Sequence, residues 1–439
     1  MHSSVLDACT RLGRPFLVLA LFGGVLQRGN AADTLFSLGY SLQHSDNIQL
    51  APANKQNEWI NTATVSYAFQ ENSVSLEGGV QGSAAYHDYR RNTFSDRSVF
   101  GLNANLKWKI LPERFWWTLE DFFTQTAIQP LEPDTPTNRQ NANVFSTGPN
   151  YTLRLSPVHS MQFGARHTES SFEKSDLDST RNTGNVGWIY QATPRTTLTL
   201  NYSAEAVDYK NETLNPNFDR QDAFLQISHR LSRNLFLLEG GSTSIHRDRA
   251  ADVDGSRERF SWTRELTPAS TFNLSVSSEL SDVTRETLAA AATAEPGIPG
   301  NIVDGDVFRS KKADLVFTHR RTYGSDVVSL FRHEQDFQIS PSDQERRGGN
   351  INVGYDFTAA VTGVFFASSA KVVSTGVTPV TEYKDTIIGL SLSDRLTKTL
   401  NLGFELSQKQ RDSVDPLRTY TENRASLTLS YSSASRLSR

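Results

Sequence analysis

The sequence predicts an all-β fold: an up-and-down antiparallel transmembrane β-barrel of about twenty strands, with eighteen as the alternative. Three observations predict it. Apolar and polar residues alternate over long segments, short turns alternate with long polar loops, and no run of about 20 apolar residues follows residue 32.

The alternation has period two. Phe100, Leu102, Ala104, Leu106, Trp108 and Ile110 alternate with Gly101, Asn103, Asn105, Lys107 and Lys109. Leu198, Leu200, Tyr202, Ala204 and Ala206 alternate with Thr197, Thr199, Asn201, Ser203 and Glu205. Phe272, Leu274 and Val276 do the same, as do Ile351, Val353, Tyr355 and Phe357. Successive side chains of a strand point to opposite faces, so each segment has one apolar and one polar face. A soluble sandwich also alternates. These segments, however, are long enough for the ~9–11 residues that cross a bilayer at a tilt. Aromatics gather at their ends, as at Tyr67, Phe69, Trp108, Tyr190, Tyr355, Phe357 and Tyr431, where interfacial girdles form.

The connections alternate in length. Nine short ones read QENS (Gln70–Ser73), LPER (Leu111–Arg114), SPVH (Ser156–His159), ATPR (Ala192–Arg195), LSRN (Leu231–Asn234), LTPA (Leu266–Ala269), TYGS (Thr322–Ser325), FTAA (Phe357–Ala360) and LTKT (Leu396–Thr399). Long polar loops lie between them, such as His44–Asn57, Thr126–Asn141, Asp208–Asp219 and Leu288–Gly305. Short periplasmic turns and long outside loops are the asymmetry of outer-membrane barrels. Nine turns make ten up–down hairpins, with both termini on the periplasmic side. The weakest strands are Phe115–Gln125 and Val361–Ala370, where Phe and Trp interrupt the alternation. The loop Leu288–Gly305 reads as a flexible outside loop, with inward folding as a constriction the alternative.

The 439 residues carry a formal net charge of -4 and a mean hydropathy of -0.45, which does not suit a nucleic-acid binder. The N-terminus predicts a signal peptide over residues 1–31. Arg11 and Arg14 precede the apolar run Pro15 to Leu26, and Gly29 and Ala31 stand at the -3 and -1 positions of a cleavage site. The barrel then spans 32–431, and a short tail covers 432–439. The one cysteine, Cys9, lies in the signal peptide, so the mature chain has neither disulfides nor a thiolate metal site. No cofactor is expected.

With the apolar face outward, register assigns the candidate lumen-lining residues. The cations are Lys107, Lys109, Arg154, Arg166, Arg230, Arg320 and Arg424. The anions are Glu77, Glu205, Glu265, Glu279, Asp314, Asp356 and Glu405. A strongly ion-selective pore favours one sign. This balanced wall, rich in Asn, Thr and Ser, suits a neutral or weakly charged hydrophilic solute such as a saccharide. The structural alternative is that the charges pair along the wall and rigidify it.

The chain carries no GxSxG elbow, HExxH, phosphate loop or dinucleotide glycine pattern, and no enzyme is expected. His229, His319 and His333, the candidates for a barrel hydrolase, read as rim or interface residues. DVDG (Asp252–Gly255) lacks the later ligands of a calcium loop and reads as a turn.

Three stretches carry a resemblance: YSLQHSDNIQL from Tyr40, WTLEDFFTQ from Trp117, and NRQNANVFSTGPNYTLRL from Asn138. They resemble the outer-membrane β-barrel proteins associated with PEP-CTERM/exosortase systems and, more distantly, the porin-like barrels of exopolysaccharide operons. The motifs cover about the first third of the mature chain. The resemblance marks Asp121, Asn138, Arg139, Asn143, Gly148 and Pro149. It implies the cell outer membrane and a setting of polysaccharide synthesis and export, without catalytic residues. Gly148 and Pro149 read as a bulge or bend, and Asn138 and Arg139 as ties between the third loop and the rim. The expected partners are outer-membrane lipid and lipopolysaccharide, the barrel-assembly machinery, polysaccharide and periplasmic export components. Tyr431 would serve as a terminal aromatic for assembly, but eight residues follow it.

Overall fold

A computed structural model describes residues 33–129, 131–293, 305–375 and 381–433. The predicted signal peptide and most of the predicted tail lie outside the described residues. The first ten strands are β1 (Asp33–Ser45), β2 (Glu58–Asn72), β3 (Leu76–Tyr89), β4 (Arg97–Leu111), β5 (Phe115–Ala127), β6 (Arg139–Arg154), β7 (His159–Phe172), β8 (Ser179–Thr193), β9 (Thr196–Tyr209) and β10 (Phe218–Leu231). Next come β11 (Asn234–Arg247), β12 (Val253–Thr267), β13 (Ser270–Ser281), a helix α1 (Val283–Thr293), β14 (Phe308–Arg321) and β15 (Gly324–Phe337). The last five are β16 (Gln344–Asp356), β17 (Val361–Ser374), β18 (Thr381–Arg395), β19 (Leu400–Ser413) and β20 (Tyr420–Ser432).

Each strand pairs antiparallel with the next, and β20 closes the 20-stranded sheet against β1, with Leu42 opposite Leu427. Beyond that seam Ser433 N donates to Phe36 O at 2.8 Å. Closure leaves no sheet edge, and that is what lets a sheet cross lipid with its backbone satisfied. The predicted strand number, order and alternation of turn lengths are all present.

Directly opposed residues share a face, so the register carries the face assignment around the barrel. Leu38 opposes Val65, Val65 opposes Ala84, and Ala84 opposes Phe100. This outer set is a belt of exposed apolar side chains, including Leu38, Val65, Phe100, Phe163, Leu200, Leu330 and Leu390. At the short-turn end it is aromatic: His159, Trp188 and Tyr190 stack, and Phe236 stacks on Trp262.

Two strands that the alternation marks weakly are continuous in the barrel, with a register shift only where Lys109 and Leu111 of β4 meet Trp116 and Phe115 of β5, which settles the count at twenty. Their extra aromatics point inward and find room there. Trp116 of β5 lies under the Lys107 ammonium, 4.8 Å from its ring centroid. Phe366 of β17 fills the space above Gly389, where a side chain would strike its ring. The first turn is displaced. Gln70 and Glu71 still pair with Gly79 and Gly78, so β2 runs to Asn72. Ser73 then closes the turn, its hydroxyl accepting from Leu76 N at 3.1 Å. Gly78 sits at φ 129, open to glycine but strained for other residues.

The expected bulge at Gly148 and Pro149 is absent. Thr147 opposes His167 and Asn150 opposes Gly164, the same register on both sides. Pro149 interrupts the ladder without shifting it, because Pro only removes a donor. Gly148 permits close approach, since a Cβ there would collide with the carbonyl oxygen of Ala165.

Candidate functional site: the barrel interior and its helix

The described start of the connection between β13 and β14, Asp282 and α1, folds inward, while most of Leu288–Gly305 lies outside the described residues. The cause of the inward turn is visible in its contacts. Asp282 caps α1, its carboxylate accepting from Thr284 N at 3.1 Å and Arg285 N at 3.2 Å. Val283 packs with Ala142, Phe172 and Leu177. Thr284 Oγ1 donates to Ser170 Oγ of β7 at 3.3 Å. Lys312 of β14 donates to Glu286. A segment that leaves β13 and at once touches β6, β7 and β14 lies against the inner face of the barrel.

Charges from several strands converge on the first turn of α1. Arg181 of β8 donates to Asp282 and to Glu205 of β9, each at 2.6 Å. Arg285 donates to Glu205 at 2.9 Å and lies 3.8 Å from Asp222 of β10. Arg220 holds Asp222 through two bonds of 2.8 and 2.9 Å and donates to Leu280 O at 2.8 Å. The side chains of Arg181 and Asp282 are only 5% and 1% exposed. Burial alone would push the Asp282 carboxyl up, but Arg181 and Arg285 outweigh it and hold the group below its ordinary value. Buried charges of this kind persist only when paired.

Beside α1 is a cavity of about 610 Å³. Ser261, Ser275 and Ser277 line it, together with Arg257, Arg259, Glu239 and Glu279. Arg257 and Arg259 each lie within ion-pair distance of both glutamates, at 3.0 to 3.8 Å. The wall is therefore hydroxyl-rich and self-neutralised. A second inward connection lies elsewhere on the ring: Arg411 of β19 donates to Leu131 O at 3.2 Å, and Arg418 to Glu132 at 2.6 Å.

The pairing register places all fourteen candidate lumen residues on this inner face, but they do not form one site. Glu205, Glu279 and Asp314 gather near α1, with Asp314 2.8 Å from His333. Glu77 lies 2.8 Å from Lys109 and 3.9 Å from Lys107. Arg424 meets Glu422 at 2.8 Å, and Arg154 meets Glu113 at 3.0 Å. Arg166 donates to Gly148 O at 2.9 Å, and Asp356 accepts from Thr362 at 2.7 Å. Among the described residues Arg230, Glu265, Arg320 and Glu405 make no ion pair, and all four are exposed. Charge is thus buried and paired around α1, and open towards the short-turn end.

The positions marked by the resemblance divide in two. Asn138 accepts from Gln129 N at 2.9 Å, and Arg139 grips Asp134 at 2.6 and 2.7 Å, which ties down the loop between β5 and β6. Asp121 and Asn143 bond to each other at 2.9 Å on the outer face, once the Asn143 amide is oriented with its nitrogen toward the carboxylate.

The histidines are scattered. His229 Nδ1 meets Thr196 Oγ1 at 2.9 Å and His319 Nδ1 meets Ser270 Oγ at 2.8 Å, both near short turns, and among the described residues no carboxylate bonds either ring. Asp252 bonds His246 at 2.8 Å, and no group of three potential metal ligands occurs among the described residues.

Sequence reasoning passed over Arg181, Arg220, Asp222, Arg257, Arg259, Asp282, Arg285 and Glu286. A signal existed for some: Arg220 with Asp222, and Arg257 with Arg259, are two apart and so share a face.

No family model matches the chain, and no curated protein matches it. Among solved structures, the siderophore receptor PirA from Pseudomonas aeruginosa superposes with a TM-score of 0.46 at 12% identity, covering 92% of this chain and 81% of that one. OccK2 (OpdF) from Pseudomonas aeruginosa, in complex with glucuronate, gives 0.40 at 10% identity over 92% and 98% of the two chains. The FrpB iron transporter from Neisseria meningitidis gives 0.49 at 10% identity over 92% and 82%. Likeness at this level passes no substrate or mechanism to the chain.

Proposed function

We propose that this protein is an outer-membrane barrel that handles or exports exopolysaccharide through a polar lumen, narrowed by α1. The observation that carries this reading is the inner wall itself. Its charges cancel in pairs around α1, and its cavity presents serine hydroxyls beside Arg–Glu pairs. Such a surface offers donors and acceptors to hydroxylated polymer without a net field to select an ion. The exposed apolar belt supports the membrane setting, and the resemblance to barrels of exopolysaccharide loci supports the cargo.

Purified protein in planar bilayers should show stepwise conductance, and polymer added on one side should block it. A barrel that inserts but never conducts, with or without α1, would remove the channel reading. The buried seat of α1 favours a second reading, a barrel closed at rest. In that case conductance appears only when the seat is broken, as in Asp282→Ala.

A further inference from the structure

Across the outer wall of β15 to β18, four cations stand in one row. Arg332 is directly opposite Arg347, Arg347 is opposite Lys371, and Lys371 is opposite Lys384. Among the described residues, the barrel opposes Lys or Arg to Lys or Arg at no other place in its ladders. Like charges directly opposite each other are destabilising in a sheet. Three such pairs in succession therefore ask for an anion that the chain does not fully supply.

The placement says what kind of anion. The four residues share the outer face with Leu330, Ile351, Phe365 and Ile388, which are exposed apolar side chains of the same strands nearer the middle of the wall. The row lies on the long-loop side of that belt. Asp412 of β19 stands directly opposite Lys384 and ends the row, and the other carboxylates are displaced one step further toward the loops: Glu334 beyond Arg332, Glu345 beyond Arg347, and Glu382 beyond Lys384. They pair with the row from above. Arg332 meets Glu345 at 3.2 Å, Arg347 meets it at 3.8 Å, and Lys371 meets Glu382 at 2.7 Å. Lys384 makes no ion pair among the described residues. The side of the row that faces the apolar belt is left cationic. At ~4.8 Å per strand the row spans about 14 Å.

We infer that this row is a docking surface for a lipid whose headgroup carries phosphate, with its acyl chains on the apolar belt below. Arginine offers phosphate a planar fork of donors and lysine a compact charge. A lipid supplies charge and hydrocarbon in the order the wall presents them. The inference rests on the membrane-spanning reading with the long loops on the outer side, where the facing leaflet would be phosphorylated glycolipid.

The test is native mass spectrometry of the full barrel in detergent micelles, offered bisphosphorylated lipid A, its dephosphorylated form, or inorganic phosphate. The wild type should retain the bisphosphorylated lipid at least tenfold more than the dephosphorylated one. Arg332→Gln, Arg347→Gln, Lys371→Gln and Lys384→Gln combined should lower that retention at least tenfold. Millimolar inorganic phosphate should not displace the lipid. Should the fourfold variant fail to fold, Glu334→Gln with Glu345→Gln and Glu382→Gln provides the second arm and should raise retention severalfold. Equal retention of the dephosphorylated lipid, displacement by inorganic phosphate, or indifference to either set of substitutions would overturn the inference. The membrane-spanning reading fails separately, if the barrel does not insert into phospholipid vesicles that contain no lipid A.

Discussion

Arg181 of β8 and Asp282 at the start of α1, 101 residues apart in sequence, meet at 2.6 Å inside the barrel. That contact holds a helix in the lumen, and it can be broken from one side. Asp282→Ala removes the helix cap and one partner of a buried pair, a change that costs about 3–5 kcal/mol where the remaining charge stays buried. Here Arg181 keeps Glu205, so the loss should fall at the low end of that range. Hydrogen exchange of amides 283–288 should accelerate, while the strand amides keep their protection. Unchanged exchange in α1 would show that the ion pair does not hold the helix.

The same carboxylate gives the seat a pH dependence. The Asp282 group is held below its ordinary value in the folded barrel. Its contribution is therefore complete above the unfolded value of about 3.9 and is lost as pH falls through the lower folded value. Conductance of the wild type should be flat from pH 7 to pH 5 and rise below pH 4. Asp282→Ala should show no such rise.

Register decides which substitutions the wall tolerates. Leu390 of β18 faces out with 58% of its surface exposed, while Ser391 faces in. An arginine on the lipid side near mid-depth costs about 2–4 kcal/mol, and one on the lumen side is accommodated. Leu390→Arg should destabilise by about that amount in denaturant titrations of vesicle-inserted protein. Ser391→Arg should stay within about 1 kcal/mol of wild type. Equal effects would contradict the assignment of faces.

Glycines separate by what surrounds them. A Cβ at Gly148 would meet the backbone of Ala165, which cannot move without disturbing the β6–β7 ladder. At Gly184 nothing lies within 4 Å. Gly148→Ala should cost about 1–3 kcal/mol, the usual range for overpacking. Gly184→Ala should leave stability unchanged, measured by the same titration.

The wall was legible in the sequence because alternation with period two is a local property. Leu198 through Ala206 announce their face without reference to any neighbour. The turns were legible through Pro, Ser, Asn and Gly, though Ser73 closes the first one later than Gln70 would suggest. The interior helix was not read, although local signals were present. Asp282 is a good cap, Leu288 to Ala292 are strong helix formers, and Pro296–Gly297 follow as a stop. They mark a helix without saying where it packs. That depends on Ser170, Arg181 and Glu205, brought to Asp282, Thr284 and Arg285 only when the barrel closes. The cation row of β15–β18 was hidden for the same reason, since Arg332, Arg347, Lys371 and Lys384 become neighbours only through pairing.

The most direct test of a helix seated in the lumen uses Ser170 and Thr284, whose hydroxyls lie 3.3 Å apart between β7 and α1. The barrel strands contain no native cysteine. The double variant Ser170→Cys, Thr284→Cys should form an intramolecular disulfide in the folded, vesicle-inserted protein. Channels should conduct less when oxidised and regain conductance on reduction. Failure of the two thiols to couple in a folded barrel, or conductance indifferent to the bond, would contradict it.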